Sequence, residues 1–137
     1  MVDTTNLVRQ HQEQSDLINK IAVHKSEQQV KDNASHISLL LSQLAGKLKM
    51  HAIAEDQFLY PTLMNHADPK VKATAQAFYT EMGGLAKTFE GFKNNFMTAK
   101  TISSDPENFL VESKKILSAL NNRIVKENKE LYPLLTI

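Results

Sequence analysis

The chain has no cysteine, which excludes disulfides, thiolate metal sites and thiol nucleophiles and suits a reducing compartment. No run approaches the ~20 apolar residues that a membrane-spanning helix needs. The N-terminal stretch MVDTTNLVRQHQEQ is polar and lacks the apolar core of a secretory signal. Charge of one sign is also missing. The net charge is +1, with Lys and Arg scattered among acids, so neither nucleic acid nor an anionic membrane is an expected partner. What is present is ordinary for a soluble protein: 137 residues, 42% apolar and 23% charged. That is enough for one domain, residues 1–137, with a real core. Cytoplasm is the expected compartment.

Gly and Pro are scarce, four of each, and their positions divide the chain into four helices. Thr4 or Thr5 can cap a first helix running to about residue 24. The polar residues 25–33 form a connection, and a long second helix follows over about residues 34–65. Asp68-Pro69 restarts the chain as cap and first helical residue, and the third helix runs to about residue 99. Ser104 or Asp105 before Pro106 repeats the signal, with Glu107 adding favourable first-turn charge. The fourth helix ends near Tyr132-Pro133.

Ile37, Leu41, Leu44, Leu48, His51, Glu55 and Phe58 alternate spacings of four and three, a continuous helical stripe. Leu7, His11, Gln14, Ile18 and Ile21 do the same in the first helix, and Ile116, Leu120, Arg123 and Glu127 in the fourth. Val71, Phe78, Leu85 and Phe92 recur at intervals of seven in the third. Nothing alternates with period two. The expected fold is all-α, an antiparallel up-down-up-down four-helix bundle.

The stripes stop being apolar at His11, His51, Glu55, Arg123 and Glu127. A buried charge needs a partner, and Glu and His from several helices of a bundle are how such cores hold metal ions. His51 and Glu55 are one helical turn apart and reach the same point. The chain also echoes itself: HAIAEDQFLYP (residues 51–61) aligns with RIVKENKELYP (residues 123–133). Glu55 then matches Glu127, and Tyr60-Pro61 matches Tyr132-Pro133. His11 lies forty residues before His51, and Glu81 lies forty-two before Arg123. A pseudo-twofold relation between the halves places these on opposite sides of one site. It suits two metal ions bridged by Glu55 and Glu127.

The Gln10-His11 pair, the H-x3-E of His51 and Glu55 followed by Leu59-Tyr60-Pro61, and the E-x-x-x-LYP that closes helix four resemble bacterial hemerythrin-like (HHE cation-binding) domains. The resemblance covers nearly the whole chain. It implies a hemerythrin-like bundle, about two non-haem irons per chain, and roles in binding or sensing oxygen or nitric oxide or in handling iron. Carried over residue by residue, it implies His11, His51 and Glu81 as terminal ligands and Glu55 and Glu127 as bridges. Arg123 would offset carboxylate charge or hydrogen-bond a ligand. Two positions depart from the family pattern, because Arg123 and Glu81 stand where members often supply His. The resulting set is richer in carboxylate than that of the family's oxygen carriers, which favours harder ions and the ferric state and leans away from reversible carriage. Charge alone leaves one or two metals open.

Other readings stand beside this one. Glu81 and Arg123 could form a buried salt bridge in a metal-free interaction bundle. The site could instead be a di-iron enzyme acting on oxygen or peroxide. A histidine phosphotransfer module needs an exposed His, whereas His11 and His51 lie on core stripes. Met82 fits the third stripe better than Glu81 does. His24, His36 and His66 are expected to face solvent or lie in loops. Tyr60 and Tyr132 are expected to cap the bundle end, the Met residues to fill core, and the LLTI tail to pack or fray. The Gly83-Gly84 pair costs about 1 kcal/mol each relative to Ala in mid-helix and could admit a neighbouring helix or a ligand.

Overall fold

The two Asp-Pro signals do start helices. The Asp68 carboxylate accepts from Lys70 N at 2.9 Å and that of Asp105 from Asn108 N at 3.3 Å. Pro69 and Pro106 follow at the first helical position, where a missing N–H is harmless. The computed structural model describes residues 4–136. Met1 to Asp3 of the polar N-terminal stretch, and Ile137 of the LLTI tail, lie outside the described residues. Among those described there is no strand. The chain is an all-α bundle whose long helices are α1 (Thr5–Ala22), α3 (Ala34–Phe58), α5 (Pro69–Asn95) and α7 (Pro106–Lys126). Shorter helices interleave with them: α2 (Glu27–Asp32), α4 (Tyr60–Met64) and α6 (Ala99–Ser104).

Four local expectations are corrected. The stretch 25–33 is no plain connection, and the third helix stops at Asn95 rather than near residue 99. Reciprocal caps build α2 and α6 instead. Gln29 N donates to Ser26 Oγ while Ser26 N donates to Gln29 Oε1, and Thr98 and Thr101 repeat the exchange. Each short helix then buries one apolar anchor, Val30 or Ile102. Thr4 sits at the start of α1 without a side-chain capping bond, because its backbone is already helical (φ −83°, ψ −2°) and does not aim the hydroxyl at the first turn. The second helix breaks at Leu59, since Pro61 lacks an N–H and its ring crowds the carbonyl four residues back. Leu59 is consequently the buried residue there, and Phe58 is exposed.

Gly83 and Gly84 lie inside α5, yet a Cβ on either would meet nothing within 4 Å. No neighbouring helix comes close there. Gly84→Ala is therefore expected to stabilise the protein by about 0.4–1 kcal/mol, read as a higher urea midpoint. A lower midpoint would show that the glycine is needed for packing.

Two apolar clusters divide the interior. One gathers Leu17, Ile18, Leu41, Leu44, Phe89 and Leu120 among others. The second gathers Leu7, Leu59, Leu63, Val71, Phe78, Leu131 and their neighbours. Along α1, His11 and Gln14 fall between the clusters. Along α3, His51 and Glu55 do so, and at the end of α7, Arg123 and Glu127. The polar residues thus form a layer between two apolar cores.

Candidate metal centre

His11, Gln14, His51, Glu55, Arg123 and Glu127 are all buried. One ligand atom from each of His11, His51, Glu55 and Glu127 lies within 4.8 Å of the others, a group that could hold a metal ion. His11 Nε2 is 2.8 Å from Glu127 Oε1, and His51 Nε2 is 3.2 Å from Glu55 Oε2 and 3.5 Å from Glu127 Oε1.

The remaining ring nitrogens are held from behind. His11 Nδ1 lies 2.8 Å from Asn128 Oδ1, and His51 Nδ1 lies 2.8 Å from Gln10 Oε1. An amide oxygen only accepts, so both Nδ1 atoms donate and both Nε2 atoms face the centre. There they meet carboxylate oxygens, which also only accept. Such contacts close only when a second proton or a cation lies between. Burial opposes charging of His51, but hydrogen bonds to Glu127 and Glu55 and their negative charge outweigh it and push its pKa up to about 9. Burial likewise works to raise Glu127. The hydrogen bonds of His11 and His51 and the charge of Arg123 overcome it and hold that carboxyl well below the usual range. Glu55 moves the other way, because burial and the charge of Glu127 prevail over His51 and Tyr132. A cation bound at these four atoms would replace the protons that the metal-free group holds. Two imidazole nitrogens and two carboxylate oxygens suit a borderline transition-metal ion.

Tyr132 is one residue whose place differs from the sequence-based expectation. Its hydroxyl lies among the four side chains rather than capping the bundle end. It donates to Glu55 Oε2 at 2.9 Å and lies 3.1 Å from Nε2 of both His11 and His51. The reason is a widened helical turn after α7, over Glu127–Leu131, in which Tyr132 N bonds the Glu127 carbonyl five residues back. Burial first, then the charges of Glu55 and Glu127, push the Tyr132 hydroxyl far up, so it stays protonated. Asn128 and Gln10 also went unassigned, although the Gln10-His11 pair was itself the available signal.

The structure does not bring Glu81 to the group. Phe78 and Met82 take the inward positions of α5, and Glu81, one residue off that stripe, is 57% exposed. It lies 3.4 Å from Lys126 Nζ and 3.8 Å from Arg123 Nη1. The buried partner of Arg123 is instead Glu127, with Nε donating to Oε2 at 2.8 Å. Nη2 of Arg123 donates to the Phe78 carbonyl at 2.7 Å and to the Tyr60 hydroxyl at 3.3 Å, and the guanidinium stacks 4.6 Å above the Phe78 ring. Of the remaining histidines, His36 is exposed, while His66 is half-buried and accepts from Asp68 N. His24 is half-buried too, with Nε2 enclosed and unpartnered, and burial lowers its pKa.

Between α3 and α5 the surface opens into a groove of about 690 Å³, walled by Ala52, Tyr79, Met82 and Ala86 and floored by Leu120 of α7. It reaches Glu55. Among the described residues, no helix is long and apolar enough to cross a membrane.

Helices surrounding a buried layer of two histidines and two glutamates define a metal-binding helical protein. The model of the hemerythrin HHE cation-binding domain matches residues 2–135. The chain belongs to that family. No curated protein and no solved structure shows significant similarity to it.

Proposed function

We propose that this chain is a non-haem iron protein that binds or senses oxygen or nitric oxide, with His11, His51, Glu55 and Glu127 as the ligands. The observation that carries the reading is the convergence of four buried ligand atoms within 4.8 Å. Iron held there would supply the redox chemistry to which oxygen and nitric oxide respond. The protein's own part is orientation and exclusion. Asn128 and Gln10 turn the two Nε2 atoms inward. The apolar clusters on either side keep bulk water from the layer. The groove that reaches Glu55 gives small solutes a way in from solvent.

Metal analysis of freshly purified protein, with absorption spectra before and after exposure to air, tests this. Bound iron with charge-transfer bands in the ~320–400 nm region that change on aeration is the expected result. Protein that carries no metal, and takes up none on anaerobic reconstitution, would leave the buried layer as a structural network and end the proposal.

A further inference from the structure

We infer that the centre holds one metal ion rather than two, with the Arg123 guanidinium occupying the place of the second. The inference rests on the metal-binding reading above. The two halves of the chain contribute unequally. The first half supplies His11, His51 and Glu55, whereas the second supplies only Glu127. The position that matches His51 is Arg123, a side chain with donors only and a permanent charge. The position matched with His11 is Glu81, which is exposed and pairs with Lys126.

Glu127 shows the substitution most directly. A carboxylate that bridges two ions gives one oxygen to each. Here Oε1 faces His11 at 2.8 Å, while Oε2 already accepts from Arg123 Nε at 2.8 Å. The matched tyrosines repeat the pattern across the pseudo-twofold relation. The Tyr132 hydroxyl meets His51 of the first half, and the Tyr60 hydroxyl accepts from Arg123 of the second. One tyrosine faces a metal-ligand type of side chain and the other faces a cation.

Charge agrees. Glu55 and Glu127 against Arg123 leave one negative charge with neutral histidines. A single divalent ion with a hydroxide brings the layer to neutrality. Two divalent ions with a hydroxide would leave two positive charges in a buried layer beside a guanidinium.

The free space agrees as well. A cavity of about 20 Å³, room for roughly one water molecule, lies against Gln14, His51, Glu55, Met82, Arg123 and Glu127. Gln14 Nε2 and Arg123 Nη1 are both buried without an acceptor. Both residues line that cavity together with the Glu55 and Glu127 carboxylates, and an oxygen acceptor such as water there would give the unpartnered donors a partner.

The test is anaerobic loading with excess ferrous ion, removal of unbound ion, and elemental analysis. Electron paramagnetic resonance then follows oxidation. About one iron per chain and the signal of an isolated high-spin ferric ion are expected. Two irons per chain, or loss of the signal through spin coupling of adjacent ferric ions, would overturn the inference while leaving metal binding intact. No iron at all would overturn both. Arg123→His returns an imidazole one turn before Glu127 and is expected to raise the capacity above one ion. Arg123→Lys keeps the charge and is expected to stay at one. A folded Arg123→His protein that still takes a single ion, or an Arg123→Lys protein that takes two, would remove the guanidinium from the place assigned to it.

Discussion

Replacing Glu127 with Ala should abolish metal uptake and lower stability by about 3–5 kcal/mol. Its carboxylate ties both buried histidines to the buried guanidinium. Glu127 lies 2.8 Å from His11, 3.5 Å from His51 and 2.8 Å from Arg123. Without it, the guanidinium keeps hydrogen bonds only to two neutral groups, the Phe78 carbonyl and the Tyr60 hydroxyl, with the exposed Glu81 carboxylate 3.8 Å from Nη1, and its charge stays buried. Breaking a buried pair from one side is far more damaging than never having built it, because the surviving charge has lost its compensation. Glu127→Gln retains the shape and one acceptor, so its stability loss should be smaller while metal binding still falls. Glu81→Ala provides the contrast. An exposed carboxylate near Lys126 should change stability by no more than about 0.5 kcal/mol and leave metal content as it was. Urea denaturation and elemental analysis of the three variants decide the matter. Full metal retention by Glu127→Ala, or its loss in Glu81→Ala, would reverse the assignment of ligands.

The second large effect is on pH dependence, and metal-free protein shows it best. His51 rises from its ordinary 6.5 to about 9 in the folded protein. That difference amounts to about 3 kcal/mol in favour of the charged form. A group raised on folding contributes fully below its unfolded value, so this stabilisation is complete below about pH 6.5 and drains away as pH climbs through 9. Glu55, also raised, acts in the same sense, since its buried negative charge becomes a burden as it ionises. Glu127 is lowered. Its contribution is present above its ordinary 4.5 and is lost as the medium becomes more acid. Metal-free protein should therefore be most stable between about pH 4.5 and 6.5 and weaken by up to ~3 kcal/mol toward pH 9. Metal affinity should run the opposite way. An ion at the His51 Nε2 position must expel the proton held there, so binding tightens as pH rises toward about 9 and releases protons that calorimetry in buffers of different ionisation enthalpy can count. A flat stability profile between pH ~6 and ~9 in the chelated protein would show that His51 is not held charged by its two carboxylates.

How much of this was legible from residues alone depends on what kind of fact is asked for. Four amphipathic stripes, the Asp-Pro starts and the interruption of each stripe by ionisable residues are local and periodic. They follow from the 3.6-residue turn and from which side chains tolerate water. His11, His51, Glu55 and Glu127 were named on that basis, and they are the four side chains that the structure brings together. Arg123 was placed in the interior on the same grounds, and it is buried. The short helices α2 and α6 were also within reach, since Ser26 to Gln29 and Thr98 to Thr101 carry capping spacings that a search for apolar stripes passes over.

Who meets whom was another matter. A stripe gives the direction of a side chain to within about one residue, or roughly 100° of rotation. That margin separates Glu81 outside from Met82 inside, and Phe58 outside from Leu59 inside. That Glu81 stays exposed instead of forming a buried pair with Arg123 depends on how α5 is rotated against α7. The central place of the Tyr132 hydroxyl depends on one widened turn that re-aims a residue expected at the bundle's end. Gln10 and Asn128 orient histidines of other helices, across separations of 41 and 117 residues, which no local spacing encodes. Periodicity, a property of each helix by itself, determined which residues go inside. Contacts one turn apart, such as His51 with Glu55, follow from the helix itself, whereas contacts between helices arise only when they are rotated and shifted against one another to pack their cores, and that the tertiary structure alone decided.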